Sequence, residues 1–148
     1  MRMEAPDKHI VRFIKKHHIF TLATAENNLP YCATCFYVYA EQNNTFIFTS
    51  EYDTTHIRHA VQHPSVAGTI ALETKIIGKI RGIQFTGTIK ELREEELIAG
   101  NKLYLKKFPY AKPFLKNTPF WSIDVNFIKL TDNRLGFANK LIWSKKKL

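Results

Sequence analysis

Alternating apolar and polar positions dominate the first third of the chain, after one segment with helical periodicity. In PDKHIVRFIKKHH, Pro6 and Asp7 are helix-start residues, and Ile10, Phe13 and Ile14 fall on one face, which predicts a helix. Three strand-like runs follow, IFTLATA, YCATCFYVYA and TFIFTS, separated by the turn compositions ENNLP and EQNN. This order predicts a meander of antiparallel hairpins.

The rest of the chain predicts two more helices and three more strands. TTHIRHAVQ is expected to form a short helix that stops before Pro64, because the residue preceding a proline disfavours helical backbone. REEELIAGNKLYLKKF has an acidic start and a lysine-rich end, as a helix dipole prefers. The predicted strands are SVAGTIALE, IRGIQFTGTIKEL and FWSIDVNFIKLT, and Gly82 and Gly87 indicate a bulge or a close backbone approach.

Six strands with interspersed short helices predict a mainly β fold, a small closed or half-closed antiparallel β-barrel. There is no internal repeat and no linker, so residues 1–148 are expected to form a single domain. A content of 45% hydrophobic and 24% charged residues is typical of a folded globular protein. No apolar run is long enough for a signal segment or a membrane span, so a cytoplasmic location without membrane association is expected.

The formal net charge of +9 is an excess that suits nucleic acid, a membrane surface or a phosphorylated ligand, and charge alone does not choose among them. Part of it lies in the tail Lys145–Lys147, which we interpret as a solvated end. A nucleic-acid-binding barrel exposes aromatics interleaved with Lys and Arg on one strand face. Here the lysines lie mostly elsewhere, near the chain ends and in TKIIGKIRG, which makes nucleic-acid binding a less favoured alternative.

Two cysteines, Cys32 and Cys35, form a C-x-x-C motif, which suits a redox pair or half of a zinc site. The motif lies in a predicted strand, where residues three apart point to opposite faces. No second cysteine pair completes a metal site. We therefore expect two buried or half-buried thiols and no metal.

Hydroxyl-bearing residues crowd the bend between TFIFTS and the following helix. Ser50, Thr54 and Thr55 offer hydroxyls, His56 adds a basic group, and the helix start offers unpaired backbone N–H groups. Together these groups predict an anion site. The alternative is ordinary helix capping, by Asp53 or one of the threonines, which stabilises a helix by about 1 kcal/mol.

Three histidines, His56, His59 and His63, lie along one edge of the same predicted helix. Zinc or haem ligation is one interpretation of this edge. No acidic partner or further ligand is evident nearby in the sequence, so solvated histidines on a helix flank are the favoured interpretation.

The order of these elements resembles the FMN-binding split barrel of pyridoxamine 5′-phosphate oxidase-like proteins. The resemblance rests on FTLATAENNLPYCATCFYVY, TFIFTSEYDTTHIRHAVQHPSVAGTI and IRGIQFTGTIKEL, and it covers nearly the whole chain. The closing segment LTDNRLGFANKLIW is most similar to the YhbP-like (UPF0306) bacterial group within that superfamily.

The resemblance implies a six-stranded split barrel that binds FMN, forms a homodimer with the cofactor at the subunit interface, and acts as an oxidoreductase on a small molecule. It also implies which segments contact FMN. The flavin ring is expected along Ala33, Thr34, Cys35 and Phe36, the phosphate at Phe48, Thr49, Thr55 and His56, and the ring or ribityl chain around Arg81 and Gly82. The hydroxyls of Ser50 and Thr54 at the bend, and Gln84 on the later strand, complete the set of candidate FMN-binding residues.

This chain departs from the family pattern at several of these positions. The family usually has lysine or arginine where Thr55 and His56 stand, often a basic residue at Ala33, and glutamine at Gly82. Gln84 lies two residues further on, so it faces the same side of the strand and is the candidate substitute. The tail NKLIWSKKKL does not match the Arg/His-rich substrate segment of a true pyridoxamine phosphate oxidase, so a different substrate is implied. A non-catalytic module that binds haem or another anionic ligand in the same cleft is the alternative.

Overall fold

The structure is a computed structural model that describes residues 4–135 and 139–145. Part of the LTDNRLGFANKLIW segment (136–138) and the end of the lysine tail (146–148) lie outside the described residues. The helices are α1 (Lys8–Lys16), α2 (Thr55–Gln62) and α3 (Glu94–Lys107). The strands are β1 (Ile19–Glu26), β2 (Leu29–Phe36), β3 (Val38–Ala40), β4 (Thr45–Thr49), β5 (Ser65–Ala71), β6 (Arg81–Glu91), β7 (Phe120–Asp132) and β8 (Lys140–Ser144).

All strands pair antiparallel in one sheet with the order β2-β1-β5-β6-β7-β4-β3, and β8 also pairs with β7. Although β2 and β4 are far apart in this order, they contact each other, so the sheet curls into a half-barrel. This confirms the predicted mainly β class and the three predicted helices. The count differs, because the described residues contain eight strands rather than six.

Tyr37 is the reason that the second predicted strand divides into β2 and β3. Its ring is fully buried, its backbone N–H donates to His18 O (3.0 Å), and its hydroxyl donates to Ile14 O (2.6 Å). These bonds hold the chain at the point where it stops pairing with β1 and starts pairing with β4, with Val38 opposite Ile47. The second extra strand, β8, arises because β7 is long enough to pair along its later half.

The inner face of the half-barrel is filled by aromatic rings. Phe85 lies 4.6 Å from Phe46 and 5.8 Å from Phe20, measured between ring centroids, and all three side chains are almost fully buried. The predicted bulge is confirmed at Gly87 in β6, where the register shifts between Thr86 and Gly87. A Cβ at Gly87 would lie 2.6 Å from Asp124 O on β7, so the close backbone approach is confirmed as well. The prediction is wrong at Gly82, which pairs in register with Ala71 and Thr131 and where a Cβ would lie at an ordinary contact distance of 3.4 Å from Ile70 O.

Candidate functional site

Three polar side chains meet where β4 ends and α2 begins. Ser50 Oγ lies 2.6 Å from His56 Nε2, and Thr54 Oγ1 lies 3.4 Å from the same nitrogen. Trp121 Nε1 donates to Ser50 O (2.9 Å) and so fixes the backbone at this point. We call Ser50, Thr54, Thr55 and His56 the corner; all four are half-buried.

The start of α2 has no side-chain cap. Thr54 is the N-cap residue, but its hydroxyl donates to Glu51 O (2.9 Å) and accepts no hydrogen bond from a backbone N–H of the helix. Among the described residues no hydrogen bond joins Asp53 to the first turn either, so the capping interpretation is wrong for both side chains. The first N–H groups of α2 therefore have no side-chain acceptor among the described residues, and the positive end of the helix dipole favours an anion there.

The corner carries donors but no permanent positive charge. Burial lowers the pKa of His56, because the partly desolvated ring is less stable when charged. At neutral pH the ring is therefore uncharged in the free protein. An anion bound at the corner would raise this pKa again, since an opposite charge stabilises the protonated ring.

The four positions expected along the flavin ring alternate between two faces of β2, as a strand requires. Thr34 and Phe36 are exposed on the outer face of the sheet, whereas Ala33 and Cys35 turn inward, and Cys35 packs against the core. Burial raises the pKa of the Cys35 thiol to about 11. Cys32 is exposed on the outer face, so the two thiols point apart as predicted, but the prediction of a buried or half-buried thiol is confirmed for Cys35 only and is wrong for Cys32.

A row of uncharged side chains crosses the outer face from β2 to β6. Thr34 lies opposite Thr21, Thr21 opposite Thr69, and Thr69 opposite Gln84. Thr34, Thr69 and Gln84 are exposed, and Gly82 lies two residues from Gln84 on the same face. The structure thus brings Thr34, Gly82 and Gln84 onto one face of the sheet, and it confirms that Gln84 and Gly82 face the same side of β6.

The remaining predicted positions have side chains that are engaged elsewhere. Phe48 is fully buried in the core, and Thr49 Oγ1 donates to Pro119 O (2.7 Å). The Arg81 guanidinium lies 5.9 Å from the centroid of the Phe13 ring, and its buried Nε has no hydrogen-bond partner.

Sequence reasoning missed the partners of the histidine edge. His59 Nδ1 lies 3.3 Å from Thr24 Oγ1, and His59 Nε2 lies 3.5 Å from the Glu26 carboxylate, an acidic partner from β1. His63 is exposed and makes no side-chain contact within the described part of the chain. In residues 4–135 and 139–145 no group of three His, Cys, Asp or Glu side chains is placed to hold a metal ion.

The corner residues are half-buried, whereas Thr34, Thr69 and Gln84 on the outer face are exposed. A groove of about 890 Å³ lies on the other side of β4, between α3 and the β3–β4 hairpin. Its ends are marked by the ion pairs Lys15–Glu41 and Lys90–Glu96, and no corner residue lines it. None of the helices among the described residues is long and apolar enough to cross a membrane.

Solved structures with the same fold include several ligand-binding proteins. A heme binding protein from Mycobacterium smegmatis superposes with a TM-score of 0.72 at 15% identity, over 86% of this chain and 53% of that chain. A FAD-binding protein from Mesorhizobium loti gives a TM-score of 0.69 at 12% identity, over 88% and 97%. A putative pyridoxamine 5′-phosphate oxidase from Listeria innocua gives 0.65 at 11% identity, over 81% and 93%. At these identities the likeness establishes the fold alone.

Similarity at the level of the amino-acid sequence shows the family as well as the fold. The family model described as pyridoxamine 5′-phosphate oxidase matches residues 6–132. A UPF0306 protein from Photorhabdus laumondii is 38% identical over 136 residues, which cover 92% of this chain and 94% of that protein. A UPF0306 protein from Yersinia pseudotuberculosis is 35% identical over 145 residues, or 97% of each chain. The resemblance inferred from the residues is thereby confirmed, and the chain belongs to the pyridoxamine 5′-phosphate oxidase family, within its UPF0306 group.

Proposed function

We propose that this protein binds FMN and acts as an FMN-dependent oxidoreductase on a small molecule other than pyridoxamine phosphate. The observation that carries the proposal is the convergence of Ser50, Thr54 and His56 on the uncapped start of α2. Backbone N–H groups at a helix start, joined by hydroxyls, form a common phosphate-binding arrangement. Membership of the pyridoxamine 5′-phosphate oxidase family supports a flavin nucleotide as the molecule that carries this phosphate.

The residues present fit the two ends of FMN. The phosphate would accept hydrogen bonds from the first N–H groups of α2 and from the Ser50 and Thr55 hydroxyls. The flat ring would lie on the outer face, where Thr34 and Gln84 provide hydrogen-bonding groups and Gly82 leaves room for a close approach. When bound, FMN supplies hydride and electron transfer, and the protein supplies orientation and exclusion of water.

A homodimer is part of this proposal, because the outer face is uncovered in a single chain. Large apolar side chains of β1 and β2 are exposed there, with Ile19 at 45% and Phe36, its partner across the two strands, at 52% of their surface. A second copy packed on this face would bury them and enclose the cofactor. Light scattering after gel filtration should give twice the chain mass of 17.2 kDa, and a monomer at micromolar concentration would contradict the arrangement.

A cytoplasmic location also belongs to the proposal. Cys32 and Cys35 are both free, and unpaired cysteines are typical of proteins in reducing compartments. Fractionation of cells that express the tagged protein tests this location.

The first experiment is an absorbance spectrum of the purified protein, before and after FMN is added and the excess is removed by desalting. Retained flavin absorbance is expected. Ser50→Ala and His56→Ala should each weaken FMN binding by about ten- to hundredfold, the range for one hydrogen bond to a charged group. His63→Ala is the matched control, since it removes an exposed histidine from the same helix without touching the corner.

Two results would overturn this assignment. If the wild-type protein retains no flavin, it does not use FMN. If it retains flavin and His63→Ala weakens binding as much as His56→Ala, the phosphate does not lie at the corner.

Haem, or another anionic ligand bound without turnover, is the second candidate. It is favoured by His63, whose ring is exposed and without a side-chain partner among the described residues, and by the heme-binding neighbour from Mycobacterium smegmatis. A Soret band that forms on haem addition and is lost in His63→Ala would support it. His56 and His59 are engaged with Ser50, Thr24 and Glu26, which disfavours them as haem ligands in the free protein.

A further inference from the structure

A strongly basic surface runs from the second half of α3 into the turn that follows it. Residues 97–123 contain five lysines and no aspartate or glutamate. One of them, Lys107, is engaged, because its Nζ donates to His17 O (2.7 Å) and Tyr37 O (3.1 Å). The other four are exposed and make no ion pair or side-chain hydrogen bond within residues 4–135 and 139–145, namely Lys102, Lys106, Lys112 and Lys116.

Between α3 and this turn lies a groove with a volume of about 650 Å³. We call the 3₁₀ segment Pro109–Phe114 the proline turn. Leu105 of α3 and Leu115 form the apolar part of the groove, and Tyr110 forms a wall with 72% of its surface exposed. Lys112 and Lys116 line the same groove, whereas Lys102 and Lys106 do not.

The groove is held open by a rigid turn. Pro109 and Pro113 restrict the backbone of the turn, since the proline ring fixes φ. Phe108, just before the turn, is buried and packs on Tyr104 with ring centroids 4.9 Å apart. A preformed cleft of this size, mostly apolar with a few placed polar groups, is typical of small-molecule sites.

We propose that this groove binds a small amphipathic anion, with an aromatic or aliphatic body against Leu105, Leu115 and Tyr110 and a carboxylate, sulfonate or phosphate head between Lys112 and Lys116. Both parts of the ligand follow from the lining. An apolar body covers exposed hydrophobic surface, which is favourable in water. An anionic head neutralises two ammonium groups that have no ion-pair partner among residues 4–135 and 139–145.

This site goes beyond the proposed flavin site and is separate from it, because no corner residue lines the groove. Ring contacts nonetheless connect the two regions. Tyr110 lies 6.4 Å from Phe108, and Phe108 lies 5.5 Å from Phe36 on the outer face of β2. A ligand in the groove would therefore lie beside the face on which the flavin ring is proposed.

The test is a fluorescence titration of the full chain with anilinonaphthalene sulfonate, which joins an aromatic body to a sulfonate. The double variant Lys112→Glu/Lys116→Glu should weaken probe binding about tenfold or more, since it replaces both attractive charges by repulsive ones. The matched control, Lys102→Glu/Lys106→Glu, makes the same change in net charge on the same basic surface and should weaken binding less than about twofold.

Three further measurements complete the test. Tyr110→Ala should weaken probe binding about fivefold by removing one apolar wall. Inorganic sulfate at the same ionic strength should not displace the probe, because it lacks the apolar body. Saturating FMN should not displace it either, so the result does not depend on whether the corner binds flavin.

Several outcomes would overturn the proposal. If both double variants weaken probe binding equally, the effect comes from net charge and not from the groove. If Lys112→Glu/Lys116→Glu does not weaken probe binding, the probe binds elsewhere. Displacement by sulfate or by FMN would contradict an independent amphipathic site. The thermal unfolding midpoint of each variant is measured first. If Lys112→Glu/Lys116→Glu lowers the midpoint, Lys112→Gln/Lys116→Gln is titrated in its place. The loss of two charges in that variant should weaken probe binding about threefold or more.

Discussion

Gly68 in β5 occupies a position at which the fold leaves no room for a methyl group. An ideal Cβ at Gly68 would lie 2.3 Å from Phe85 Cζ, 2.6 Å from Phe85 Cε1 and 2.7 Å from Thr21 O. The Phe85 ring is buried and packed against Phe46 and Phe20, and Thr21 O is backbone of the neighbouring strand. Gly68→Ala therefore forces either the central ring or strand β1 to shift.

Two opposing terms set the size of this effect. Overpacking in a well-packed core costs about 1–3 kcal/mol. Replacing glycine by alanine also restricts the unfolded chain, which stabilises a protein by about 0.4–1 kcal/mol where the native backbone is compatible. Neither Gly68 nor Gly78 has a left-handed backbone, and a Cβ at Gly78 would have no neighbour within 4 Å. Gly78→Ala is therefore the matched control, expected to be neutral or slightly stabilising.

The measurement is urea unfolding of the wild type and both variants, followed by circular dichroism. Gly68→Ala should unfold with a free energy about 1–3 kcal/mol lower than that of Gly78→Ala, which is the overpacking cost alone. Adding Phe85→Leu should recover part of the loss in the Gly68→Ala background, because it shortens the side chain that the new methyl group meets. Equal unfolding free energies for the two glycine variants would refute the argument from close contact.

Two further predictions concern titration and thiol chemistry. Burial lowers the pKa of Lys107 to about 8 from its ordinary 10.5, so between these pH values the unfolded chain binds more protons than the folded one. Stability should therefore rise as pH increases from about 8. It should level off above about pH 9, because burial raises the pKa of the Cys35 thiol from 9.0 to about 11, and fall above about pH 10, because burial raises the pKa values of Tyr37 and Tyr39. The midpoints of urea unfolding, measured over this pH range, test this increase in stability. The increase should vanish in Lys107→Met. If it is unchanged in that variant, another group causes it. In the native protein, Cys32 should react fast with a disulfide reagent at pH 8 and Cys35 slowly, since the Cys35 thiol has a pKa of about 11 and packs on the core. Counting the thiols released with and without urea, in the wild type and in Cys32→Ser, tests this order, and fast reaction of Cys35 in the folded protein would contradict it.

Much of the fold followed from the sequence because its signals are local. A strand with one buried face must alternate apolar and polar residues, and β1 and β6 carry that alternation clearly in both sequence and burial. The apolar spacing of Ile10, Phe13 and Ile14 likewise anticipated the buried face of α1. Gly87 marked a bulge because a residue without a Cβ has few other uses in a long strand.

The composition of the corner was also visible in the sequence, since Ser50, Thr54, Thr55 and His56 lie within seven consecutive residues. Its geometry was not. Whether the Thr54 hydroxyl caps α2 or turns to Glu51 O depends on the path of the bend, and residue types alone do not specify that path. The partner of the corner, Trp121, is 71 residues away along the chain.

Only the tertiary structure decided which segments meet. The break at Tyr37 depends on hydrogen bonds to His18 and Ile14, which the curl of the sheet brings beside it. The row from Thr34 to Gln84 exists because β5 inserts between β1 and β6, a pairing order that no local pattern encodes. Periodicity determines which face of an element is buried, whereas the partner of that face is chosen by the packing of the whole chain.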